Sequence, residues 1–113
     1  MELKIKKIGN VIIIYLSGRL DVQNSLQIEK EIHQLIQSEP GFHILLNLFD
    51  VKYISSSGIR IFVSSMRILK DTGKQLKLCH MHDTVKKIFE VVELMDMFEI
   101  YETEDEAVKS FSH

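Results

Sequence analysis

The sequence predicts an α/β domain: about five strands in a mostly parallel sheet, opened by an antiparallel hairpin and packed with about four helices. Three observations predict it. Residues 11–16 and 43–48 are apolar on both faces, as strands covered on both sides must be. Between and after them, apolar residues recur at the three- and four-residue spacing of helices. Strand and helix patterns then alternate along the chain, which calls for right-handed crossovers and parallel pairing. At 113 residues and 45% hydrophobic, the chain has material for one core, and it reads as a single domain over residues 1–113.

Leu3, Ile5 and Ile8 mark a first strand, and Gly9-Asn10 a tight turn. The β-branched run 11–16 is a central strand, which residues 17–21, Ser-Gly-Arg-Leu-Asp, leave. Asn24 or Ser25 is placed to cap the first helix, and Asp21 is a further cap residue before it. Ile28, Ile32, Leu35 and Ile36 give its apolar face, and Pro40-Gly41 ends it. Residues 43–48 form the next buried strand, and residues 49–53 connect it to three serines, Ser55, Ser56 and Ser57. A second helix is expected from about Ser57 to Thr72, stopped by Gly73. A strand at 74–79, a third helix capped by His82-Asp83-Thr84 with the face Val85, Ile88, Phe89 and Val92, and a short strand at 98–101 follow. Thr103 and Glu106 have capping-box spacing before a final helix with Ala107, Val108 and Phe111 inward.

Composition narrows the function. Fourteen basic against sixteen acidic residues leave a net charge of −2, which argues against a nucleic-acid or membrane-surface role. Lys4, Lys6 and Lys7 are read as the solvated side of an edge strand. The single cysteine, Cys79, sits in an alternating run and is expected to be a buried thiol. The first ten residues do not resemble a signal peptide, and no apolar run approaches the ~20 residues of a membrane span. A cytoplasmic location without membrane insertion is the expectation. An enzyme is not expected, because the serines lack a G-x-S-x-G elbow and no histidine has a recognisable place in a triad. No cofactor is implied. His80 and His82 have no cysteine or carboxylate at ligand spacing, so no metal site is expected.

The serine stretch carries the functional signal. One serine can cap the second helix, and another can stand at its mouth, where free N–H groups and the helix dipole tolerate a phosphate. Sorted by face, Ile59, Phe62, Val63, Met66 and Leu69 are expected in the core, and Arg60, Ser64, Arg67 and Asp71 on a polar stripe. Ile61 and Ile68, with Ser65 beside them, are then expected on a third, exposed side as an apolar docking ridge.

The order of these motifs resembles the STAS domain family, in its stand-alone anti-sigma factor antagonist branch. The pieces are residues 17–21 with Asn24, the strand 43–48, residues 53–59 (Tyr-Ile-Ser-Ser-Ser-Gly-Ile), the strand 74–78, and 98–100 with Glu106-Ala107; together they cover nearly the whole chain. The resemblance implies a STAS fold and a protein that binds an anti-sigma factor, itself an ATP-dependent serine kinase. It implies that phosphorylation of one serine ends that binding, and that a serine phosphatase restores it. By position the phosphorylated residue is Ser56, with Ser55 and Ser57 as neighbours; Asp21, Asn24, Ser55, Ser57, Gly58, Ile61 and Ile68 are the candidate partner-binding residues. Two positions depart from the family pattern: Ser55 and Asn47 stand where aspartate is usual. A non-phosphorylated STAS scaffold, or a regulatory subunit of a transporter or stress-signalling complex, is the alternative.

Overall fold

A computed structural model describes residues 3–111. Its strands are β1 (Lys4–Ile8), β2 (Val11–Leu20), β3 (His43–Ile54), β4 (Leu76–Cys79) and β5 (Glu99–Tyr101). Its helices are α1 (Val22–Ser38), α2 (Ser56–Asp71), α3 (Asp83–Val91) and α4 (Glu104–Ser110), with a 3-10 turn at Met95–Met97. The sheet order is β1-β2-β3-β4-β5; β1 runs antiparallel to β2 and the other neighbours are parallel. The α/β architecture expected from the sequence is the one observed.

Strand period two divides the sheet residues between two cores. Ile12, Ile14, Ile44, Leu46, Leu76 and Leu78 face the layer of α1, α2 and α3; Val11, Ile13, Leu45 and Cys79 face α4. Phe62 of α2 stacks on Phe89 of α3 at 5.9 Å, and both meet Phe98 edge-on. Cys79 is fully buried, and burial first, then the Glu104 carboxylate, pushes its thiol up to about 12. Lys77, also buried, bonds Ser110 and lies over the Phe111 ring at 4.4 Å, which ties α4 to the sheet. β1 is one of the two edge strands, with Lys4, Lys6 and Lys7 exposed along it.

Several boundaries differ from the sequence expectation. β2 does not end at residue 16 and β3 does not end at residue 48. Both continue, paired as Ser17↔Asp50, Gly18↔Val51, Arg19↔Tyr53 and Leu20↔Ile54, with register shifts on either side of Ser17 and Gly18. Each shift gives β3 one extra residue, so the alternation that identifies a strand is broken although pairing persists. α1 is capped by Asp21, not by Asn24 or Ser25, which lie inside the helix. β4 begins at Leu76 rather than Lys74. At α3, His82 occupies the cap position but its side chain makes no capping bond to the helix, while Thr84 Oγ1 donates to Lys52 O; Val92 lies past the helix end and is exposed. Thr103 caps α4 as expected, accepting from Glu106 N.

Candidate functional site

The candidate site is where the long ends of β2 and β3 meet the first turns of α1 and α2. Leu20 O is its fixed point, accepting from Ser55 N at 2.9 Å and from Ser55 Oγ at 3.1 Å. Ser55 caps α2 and accepts from Gly58 N at 3.3 Å, so its hydroxyl is used both as donor and as acceptor. Gly58 is buried. A Cβ there would lie 2.7 Å from Leu20 O and 2.7 Å from Ile54 Cγ1, so glycine is what lets α2 pack onto the end of β2. Gly58 therefore cannot contact a partner, contrary to its place among the candidate binding residues. Ser56, the first residue of α2, is exposed, and among the described residues its hydroxyl has no side-chain hydrogen bond; Ser57 is half-buried.

Asp21 holds the neighbouring helix start. Its Oδ1 accepts from Gln23 N and Asn24 N, each at 3.1 Å, and its Oδ2 lies 3.6 Å from Arg19 Nε. Asn24 Nδ2 donates to Arg19 O at 3.0 Å. Asn24 thus serves the end of β2, and its amide is committed. The Arg19 guanidinium stacks over Tyr53 at 4.1 Å, a cation–π contact that links the two strand ends.

The docking ridge expected on α2 does not exist. Ile61 is 1% exposed, Ser65 is fully buried, and Ile68 is half-buried against the core. The physical reason is the position of α2 between α1 and α3. With a helix on each flank, the covered positions, from Ile68 and Ile61 through Ser65, Gly58, Leu69 and Phe62 to Ile59, span roughly half the circumference at about 100° per residue. Val63 and Met66, expected in the core with Ile59, Phe62 and Leu69, are only half-buried. An aspartate at position 61 would be buried without a partner and would unfold the domain rather than test an interface.

Beside the buried face of α2, α1 and α2 meet along a seam. Val22, Leu26, Glu29 and His33 fall on one stripe of α1, four, three and four residues apart. The last two meet α2: Ser64 Oγ donates to Glu29 Oε2 at 2.7 Å and lies 3.1 Å from His33 Nε2, and Arg60 Nη2 is 3.8 Å from Glu29 Oε1. The first two have no cover, at 74% exposed for Val22 and 55% for Leu26. The open apolar end of the seam therefore lies on α1, at the end where α1 starts beside the serine turn. Sequence reading missed it because Val22 and Leu26 stand outside the stripe Ile28, Ile32 and Ile36 that faces the sheet; the spacing of 22, 26, 29 and 33 was the available signal.

Asn47 has a structural role. Its Oδ1 accepts from Phe49 N at 2.9 Å, closing the first irregularity of β3, and its Nδ2 donates to Glu104 Oε1 at 3.0 Å. Tyr15, paired with Asn47, is pushed up to about 12, by burial first and then by its bond to and the charge of Glu104. His80 Nε2 accepts from Glu104 N, and His82 Nε2 donates to Phe49 O, so each has one ring nitrogen committed to the backbone. Among the described residues no group of three or more His, Cys, Asp or Glu is placed to hold a metal ion. No described helix is long and apolar enough to cross a membrane.

The model of the STAS domain family matches residues 2–107 of this chain. The chain belongs to the STAS domain family. An anti-sigma F factor antagonist from Paenibacillus polymyxa is 23% identical over 108 residues, 96% of this chain and 92% of the relative. The anti-sigma factor antagonist SpoIIAA in its unphosphorylated form superposes with a TM-score of 0.82 at 24% identity, covering 97% of this chain and 96% of the other. The Bacillus cell fate determinant SpoIIAA in the phosphorylated form gives a TM-score of 0.73 at 23% identity, covering 97% and 99%. These superpositions show a common fold.

Proposed function

We propose that this STAS domain is an anti-sigma factor antagonist, a binding module rather than an enzyme, working in the cytoplasm. Its partner is an anti-sigma factor that is itself a serine kinase, and phosphorylation of Ser56 ends the complex until a serine phosphatase reverses it. The observation that carries this reading is the difference among the three serines. Ser55 is consumed as cap and anchor, whereas Ser56 is exposed with its hydroxyl unengaged by side chains. The relatives named as antagonists, one of them in a phosphorylated form, support it. The open end of the seam, Val22 and Leu26, supplies the apolar part of the docking surface in place of Ile61 and Ile68, and Asp21 lies at its edge. A phosphate beside it adds roughly −1.5 to −2 charges. A few kcal/mol of repulsion and desolvation weakens a complex on the order of 10²-fold.

The test is incubation with the cognate kinase and ATP, followed by mass spectrometry of the serine loop. Phosphate should map to Ser56 and be absent from Ser56→Ala, which still binds the kinase. Leu26→Asp should stay folded and bind more than about tenfold more weakly, on the scale of an interface hot spot. Full modification of Ser56→Ala, or phosphate outside residues 55–57, would sink the assignment.

A further inference from the structure

Ser56 and Arg60 are four residues apart on α2, so their side chains rise from one face of the helix. The Arg60 side chain is 72% exposed, and among the described residues the one carboxylate within ion-pair distance, Glu29, is 3.8 Å away. An exposed pair of that length is weak. Glu29 is also occupied elsewhere, since its other oxygen accepts from Ser64 at 2.7 Å. The other guanidinium near the serine turn, Arg19, is already placed, stacked on Tyr53 at 4.1 Å and 3.6 Å from Asp21. Arg60 is thus the less committed of the two cations and the one in helical register with Ser56.

We propose that Arg60 is the residue that responds to phosphorylation of Ser56: its guanidinium leaves Glu29 and takes the phosphate as a forked pair. The inference rests on Ser56 being the modified serine. Its chemistry is an exchange of anions. Glu29 offers a carboxylate of one charge, half engaged with Ser64. A phosphoserine offers up to two charges and three oxygens whose geometry matches the guanidinium fork. The modification then alters the surface twice. It adds an anion at the start of α2, and it withdraws a cation from the α1–α2 seam that leads to Val22 and Leu26. Glu29 keeps only Ser64, so the balanced charge pair along the seam gives way to a net negative charge where a partner would meet it.

The experiment needs no kinase. Phosphoserine is incorporated at position 56 during translation, and the phosphate is titrated by 31P NMR in the full chain. With Arg60 present, the second ionisation of the phosphate should lie lower than in Arg60→Gln by roughly 0.3 pH units, the size of a helical four-residue ion pair expressed on the pH scale. Arg60→Lys, which keeps the charge without the fork, should fall between them. Circular dichroism checks that the variants fold, as the exposure of Arg60 leads one to expect. A second measurement uses no substitution: the Arg60 Nε–H resonance should move when position 56 carries phosphate. Equal midpoints in the parent and Arg60→Gln, or an unmoved Arg60 resonance, would overturn the proposal. Mapping the kinase's target tests which serine is modified, whereas this titration tests what the phosphate meets, so the two readings fail separately.

Discussion

The two halves of β3 are built on different principles. In residues 43–48 the stretch 44–47 has a strand on each side, in unbroken register with β2 from Val11↔His43 to Tyr15↔Asn47 and with β4 from Ile44↔Leu76 to Asn47↔Cys79. Ile44, Leu45, Leu46 and Leu48 are at most 1% exposed. Residues 49–54 have β2 alone beside them, with two register shifts, and Phe49, Asp50, Lys52 and Tyr53 are exposed. Their free side is held by single polar contacts: Asn47 Oδ1 on Phe49 N, His82 on Phe49 O, and Thr84 on Lys52 O. The first half is secured by burial, which is non-directional and shared among many residues. The second is secured by a few directed bonds, and it is the half that delivers Ser55 and Ser56. A serine turn hung on an irregular extension can be repositioned by a few side chains without disturbing the core. The difference also predicts how each half fails.

The largest effect is expected in the regular half. Leu46→Ala removes a fully buried side chain from between two strands and should cost about 3 kcal/mol, within the range for such truncations. Urea unfolding should show the loss with an unchanged slope, because the fold remains two-state. A loss below about 1 kcal/mol would mean that the first half is not the rigid member of the pair.

A smaller effect is expected where the halves join. Asn47→Asp keeps the acceptor for Phe49 N but replaces the donor to Glu104 with a second carboxylate, 3.0 Å away in the present geometry. The cost at neutral pH should be about 2 kcal/mol, the scale of a part-buried polar group left without its partner. Two carboxylates sharing a site raise the pKa of the pair above its unfolded value. The folded variant then binds a proton more readily than the unfolded chain, so the deficit is full at neutral pH and shrinks as pH falls through the carboxylate range. Thermal melts of both proteins between neutral and mildly acid pH give the comparison. A deficit that grows on acidification would contradict the Asn47–Glu104 pairing.

The smallest effect belongs to the far end of the extension. Ser55→Ala deletes the α2 cap and one bond to Leu20 O, and should cost about 1 kcal/mol. Amide exchange sharpens the comparison. Protection should fall at Gly58 and at the start of α2 and stay unchanged at Leu45 and Leu46. Equal losses in both halves would show that they unfold as one unit rather than two.

Hydrophobic spacing alone determined the strands and helices, their order, the parallel sheet, the buried Cys79 thiol and the serine turn between a strand and a helix. Each of these follows from a property of neighbouring residues, period two or period 3.6, which the chain carries before it folds. The tertiary structure decided which side of α2 is exposed, because that depends on α1 and α3 lying on both of its flanks; Ile61 went inside and Val22 and Leu26 were left outside. It decided how far β2 and β3 run, because an irregular pair is recognisable only when both strands are present. It decided which serine is anchored, since Ser55 is distinguished from Ser56 by Leu20 O, thirty-five residues earlier in the chain. Periodicity is a local property and survives in the sequence; exposure and hydrogen-bond partnership are relations between distant segments, and exist only once those segments have met.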